Sequence, residues 1–185
     1  TMTKVNKEQI NEWGSNFSDR KNNFDDSPDV RMFIHHTLND TTLQQYLLNY
    51  IPDGIACKWQ YHPDDKYGID VALVDETGKK HLLIDLERWK QWDNEWPAKY
   101  KYISFLARKS HFLEEPVPFL MVFMSNRLNK LLIVDKESIK KYRIEDKFFQ
   151  KWGKTDKVRK VKFSEGNLFG TNITDIEKGM FKCHH

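Results

Sequence analysis

Polar and apolar positions along this chain keep a helical period at first and a strand period afterwards. Leu43, Tyr46, Leu47 and Tyr50 recur at helical spacing, so "LQQYLLNYI" predicts a helix. Asp40, Thr41 or Thr42 can cap it, and Pro52 and Gly54 stop it. Before it, "VRMFIHHTL" predicts a helix capped by Asp29, and "KEQINEWGSNF" a shorter one ended by Gly14. "SDRKNNFDDSPD" between these two is rich in turn formers and predicts a loop. From Ile55 the period shortens. "IACKWQY", "IDVALV" and "HLLIDLERW" predict three strands, the last two closed into a hairpin by "DETGKK" with Gly78 near its tip. Pro63 and Gly68 break "HPDDKYG" before that hairpin. Pro97 suits the first turn of a helix, so "PAKYKYISFLARKSHF" predicts a crossover helix. "PFLMVFMS" and "KLLIVD" then predict strands, "IEDKFFQKW" a short helix and "VRKVKF" a late strand. The order implies an α/β domain with a mixed central β-sheet flanked by helices.

Composition narrows the class. At 185 residues, 39% of them hydrophobic, the chain can bury a core as one domain. The longest apolar run, "PFLMVFM", is strand length and far short of a membrane span. "TMTKVNKEQ" lacks the apolar core of a signal peptide, and Cys57 and Cys183 form neither a disulfide framework nor a metal-ligand spacing. A reduced cytoplasmic protein is the expectation. His184 and His185 read as the visible part of an affinity tag and are set aside.

The hairpin carries the candidate chemistry. Side chains alternate along a strand, so Leu82, Ile84 and Leu86 share one face and Leu83, Asp85 and Glu87 the other. Both faces begin apolar, as in a central strand covered on both sides. Asp85 and Glu87 are separated by ~6.6 Å along the strand, and their flexible ends can converge. The hairpin closes after Val74, which brings Asp70 beside them. Two carboxylates ~4 Å apart repel by about 4 kcal/mol at an effective dielectric of 20, so something positive should offset them. A hard divalent cation on Asp70, Asp85 and Glu87 would do so. So would a salt-bridge cluster with Arg88, Lys90 or Lys66.

Asp70, a hairpin, and then Asp85-Leu86-Glu87 resembles the PD-(D/E)xK nuclease superfamily, which includes type II restriction endonucleases, archaeal Holliday-junction resolvases and recombination exonucleases. Ile69 stands where proline is frequent, Asp85 matches the second acid, and Glu87 occupies the usual lysine position, where some restriction enzymes also carry an acid. The resemblance spans roughly residues 42 to 125, through helix, strand, hairpin, helix and strand. The glutamate that many members place on the first helix is replaced by Gln44 and Gln45, with Asp40 just before. The resemblance implies a restriction-endonuclease-like core at 42–125, an N-terminal helical extension at 1–41 and C-terminal strands with a basic segment at 126–185. It also implies Mg²⁺ or Mn²⁺ as cofactor, with Asp70 and Asp85 as ligands. Glu87 would bind a second metal or take a proton from the attacking water, and Lys90, Lys99 and Lys101 are candidates for a displaced lysine.

The implied activity is phosphodiester hydrolysis by a DNA endonuclease. RNA, and a homodimer, stay open alternatives; a membrane partner is not expected. The net charge of +3 permits a nucleic-acid partner without demanding one. "KWGKTDKVRKVKF" sets Lys151, Lys154, Lys157, Arg159, Lys160 and Lys162 against Asp156 alone, either a phosphate-binding segment or an ordinary solvated face. Tyr67, Trp89, Trp92 and Trp96 surround the acids in sequence and could stack on bases or pack beneath the sheet. His62 and His81 flank the hairpin without a third ligand, and adjacent His35 and His36 cannot share one helix face. There is no glycine-rich phosphate loop and no Ser-His-Asp spacing. Two rival classes remain: a nucleic-acid-binding module that keeps the nuclease fold without turnover, and a plain interaction domain whose acids form salt bridges.

Overall fold

The structure is a computed structural model that describes residues 28–61, 68–93, 95–97 and 99–170. The expected first helix, Tyr67, His62, Lys66, Cys183 and most of the "HPDDKYG" loop lie outside them.

Two helices open the described chain. α1, Pro28–Asn39, turns Val30, Phe33 and Ile34 into the core at helical spacing. It begins at Pro28, one residue before the expected cap, so Asp29 lies in its first turn. α2, Thr41–Leu47, is capped by Asp40, which accepts from the Leu43 amide at 3.1 Å. A 3₁₀ turn, Leu48–Tyr50, finishes it before Pro52 and Gly54. The predicted strands follow: β1 Cys57–Tyr61, β2 Val71–Asp75 and β3 Lys80–Trp89 form an antiparallel meander. After the crossover, β5 Phe119–Ser125 runs parallel to β3, and β6 Lys130–Asp135 returns antiparallel to β5. A short strand that the pattern did not announce, β9 Asn167–Gly170, closes the edge. The central sheet thus has six strands in the order β1-β2-β3-β5-β6-β9.

Two predicted helices are strands instead. Within "PAKYKYISFLARKSHF" the structure has β4, Tyr102–Leu106, a 3₁₀ turn at Ala107–Lys109 and only a four-residue helix, α3, His111–Glu114. Ile103 and Phe105 are buried while Tyr102 is exposed, a period of two that outweighs the helix-start signal of Pro97. "IEDKFFQKW" gives β7, Ile144–Phe149, with alternating burial. Both pair with β8, Lys154–Lys162, in a second sheet of order β4-β8-β7. A short helix, α4, Lys136–Lys140, links β6 to this sheet.

The fold is therefore mixed α/β, but helices do not flank both faces of the central sheet. α1 and α2 cover one face, packing Phe33, Leu43 and Leu47 on Val71, Leu82, Ile84 and Val122. The second sheet and the short helices cover the other, where Ile103, Phe105 and Val161 meet Leu83, Phe119 and Met121. Double coverage explains why all seven residues of β5 are buried. No helix among the described residues is long and apolar enough to cross a membrane.

Candidate active site

β2 and β3 pair with Val71 opposite Ile84 and Ala72 opposite Leu83, so the residue before β2 falls opposite Asp85. That residue is Asp70. Its Oδ2 accepts from the Leu86 amide at 2.7 Å, and its carboxyl shares a hydrogen bond with that of Asp85. Asp85 is 4% exposed, on the same face as Leu83 and opposite Met121 of β5. Glu87, half-buried, follows on that face. The geometry expected of the hairpin holds for the aspartate pair. The threefold convergence does not: among the described residues, no three His, Cys, Asp or Glu side chains gather as a metal cage.

The cation that the repulsion demanded is present. Lys109 donates from Nζ to Asp85 Oδ2 at 2.6 Å. It arrives through the 3₁₀ turn after β4, which bends the chain from the second sheet back over β3. Neighbouring Arg108 adds positive potential at Glu87. Lys109 lay inside the presumed crossover helix, and its only sequence signal was the need for a positive group. The three lysines singled out from the sequence sit elsewhere. Lys90 is exposed in the turn after β3, Lys99 lies 5.0 Å over the Tyr100 ring, and exposed Lys101 accepts through its carbonyl from the Phe163 amide at 3.1 Å.

The electrostatics follow from burial. Desolvation, then the charge of Asp85 and the hydrogen bond to it, push the Asp70 carboxyl up to about 8, against the opposing pull of the Leu86 amide and Lys109. Desolvation also raises Glu87, although Lys109 and Arg108 oppose it. Burial pulls the Lys109 ammonium down, but Asp85, Glu87 and Asp70 together outweigh it and hold its pKa above the ordinary value. The Asp70 carboxyl, at about 8, therefore holds its proton at neutral pH.

The surrounding groups divide by role. Trp92 is buried, whereas half-buried Trp89 and Trp96 stack on each other at 4.6 Å, and Trp96 stacks on Phe163 at 4.5 Å. Both packing and partial exposure thus occur within the tryptophan group. His81 is a turn lock, 2.8 Å from Asp75. His36 is buried with Nε2 2.7 Å from the Leu128 carbonyl, while His35 is exposed. The helix bearing Gln44 and Gln45 packs on the opposite face from Asp85, and Gln44 donates to the Thr37 carbonyl at 2.9 Å.

The six basic residues of 151–162 do not form one stripe. β8 is a β-strand, so its side chains alternate between the two faces of its sheet. Lys157 pairs with Asp146 at 3.0 Å, and Arg159 donates to the Tyr142 carbonyl on one face. Lys154, Lys160 and Lys162 belong to the other, where Lys160 meets Glu145 at 3.1 Å. Lys151 is exposed in the preceding turn.

The site thus brings together two buried carboxyls, Asp70 and Asp85, with the Lys109 ammonium on the second. No family model matches this chain, and no curated protein or solved structure matches it either.

Proposed function

We propose that the protein is a Mg²⁺- or Mn²⁺-dependent nuclease that hydrolyses phosphodiester bonds in DNA. The observation that carries this reading is the contact of Asp70 with Asp85 across β2 and β3, with Lys109 set on Asp85. The order α2, β1, β2, β3, crossover, parallel β5 supports a restriction-endonuclease-like core. Its departure is the crossover, where β4 and short turns stand in for the family's helix.

Asp70 and Asp85 would hold the ion. Two carboxylates suffice for Mg²⁺, which keeps several waters and takes further oxygens from substrate phosphate. Once bound, the ion supplies charge stabilisation and a water acidic enough to attack near neutral pH. The residues do the rest. Lys109 orients Asp85 and presents its ammonium to the charge that develops on the phosphate. Glu87, with its raised pKa, would take a proton from the attacking water. The Leu86 amide fixes the Asp70 carboxylate through Oδ2.

The test offers supercoiled plasmid, linear duplex, single strands, branched junctions and RNA to wild type and Asp85→Asn, with Mg²⁺ or Mn²⁺ and with chelator. Cleavage by wild type alone, stopped by chelator, is the expected result. Wild type that cuts none of these, or Asp85→Asn that cuts as well, removes the reading.

A further inference from the structure

We propose that the outer face of the second sheet, centred on Tyr102, is a docking strip for an unpaired polynucleotide strand. The inference rests on the nuclease reading for the identity of its ligand and adds the ligand's form.

Tyr102 is 48% exposed, although it sits in the first position of a paired strand, opposite Lys162. It borders two concavities. One, of about 420 Å³, has aromatic walls, Trp96, Tyr100 and Phe163, with Lys101 and Lys162 at its rim. The other, of about 520 Å³, is lined by Lys141, Tyr142, Arg143 and Lys160, with Glu145 as its acid. Lys160 pairs with Glu145 at 3.1 Å and Lys141 with Glu165 at 3.2 Å. Lys101, Lys162 and Arg143 add positive charge beyond those pairs, so the strip suits a polyanion. A further exposed aromatic, Trp152, lies in the turn between β7 and β8, stacked on Phe149 at 4.7 Å, with Lys154 over its ring at 5.9 Å.

A ladder of partly buried rings joins the strip to the strand that carries Asp85 and Glu87. Trp89 lies two residues beyond Glu87 on the same face of β3. From it, stacked rings lead through Trp96, 4.6 Å away, to Phe163, 4.5 Å further, at the wall of the first concavity. Alternating rings and basic groups are how proteins hold single strands: the cations track phosphates while unpaired bases stack on aromatic faces. A duplex keeps those base faces stacked on each other, so it offers phosphate to the cations but nothing to Tyr102. An acidic peptide would meet the charge but leave the rings unused.

The test is fluorescence anisotropy with the full chain in chelator, so that no cleavage occurs. A dye-labelled oligodeoxythymidine is titrated against wild type, Tyr102→Ala, Tyr102→Phe and Lys162→Ala across a salt series. Expected are binding by wild type, about tenfold weaker binding by Tyr102→Ala, and near wild-type binding by Tyr102→Phe. Lys162→Ala should lower the salt slope by about 0.7. Oligouridine held with the same Tyr102 dependence also upholds the proposal. Absence of binding, Tyr102→Ala binding as wild type, or a duplex competing as well as the single strand overturns it. The two readings fail separately. Tyr102-dependent binding without cleavage of any substrate under Mg²⁺ removes the nuclease and keeps the strip. Cleavage with Tyr102-independent binding does the reverse.

Discussion

The two ends of one hairpin treat their aspartates in opposite ways. At the turn, Asp75 accepts from the Thr77 hydroxyl at 2.6 Å, the Thr77 amide at 2.9 Å and the Lys79 amide at 3.1 Å, and lies 2.8 Å from His81. The Thr77 hydroxyl first and His81 next hold its carboxyl well below the usual carboxylate range. Gly78, with φ of 88°, lets the loop close around it. At the open end, Asp70 is pushed the other way, to about 8, by burial and by Asp85. One acid is satisfied by its own turn. The other is left to share a proton in a buried pair, although a hydrophobic pair would pack there at lower cost. The two ends thus differ in what holds each acid: the turn's own donors at Asp75, and burial beside a second carboxyl at Asp70.

The sharpest break between the two ends is in activity. Asp85→Asn should bring cleavage below detection, measured on whichever substrate wild type cuts, while Asp75→Asn should retain it. Next comes Lys109→Met. Removing a donor aimed at developing charge should cost about a hundredfold to a thousandfold in turnover. An equal loss in Lys99→Met or Lys90→Met would show that the cation at Asp85 is not special.

A smaller effect concerns stability without metal. Folding raises the Asp70 carboxyl above its unfolded value, to about 8. Its contribution is fully present below the ordinary carboxylate range and is lost as pH rises toward 8, because the unfolded chain releases the proton first. Asp70→Asn lacks that loss. Melting curves in chelator should therefore move in favour of the variant as pH rises from about 5 to about 8. Parallel curves would mean that Asp70 is ionised in the fold. Smallest is Asp75→Asn, whose melting temperature should drop by a few degrees at neutral pH, since the turn loses its charged acceptor.

The sequence disclosed the hairpin because both signals agreed there. Val71 to Val74 and His81 to Glu87 carry strand-forming side chains around a turn, and the pairing that follows puts Asp70 opposite Asp85. It also disclosed that a positive group was required. It did not disclose Lys109, because position along the chain says nothing about which crossover residue bends back over β3. Pro97 signals a helix start there, and the burial of alternate residues Ile103 and Phe105 in β4 outweighs it. β7 was missed for a related reason: Glu145, Asp146 and Lys147 favour other structures locally, and pairing with β8 overrides them. The basic residues are clustered in sequence but divided between two faces, because side chains alternate along β8.

The most direct test is a calorimetric titration of Mn²⁺ into the metal-free protein at pH 7, repeated in buffers of different ionisation enthalpy. With Asp70 held at about 8, binding across Asp70 and Asp85 must expel its proton, so wild type should release about one proton per ion and Asp85→Asn should show no such binding. Binding without proton release, or equal binding by wild type and Asp85→Asn, would contradict the account.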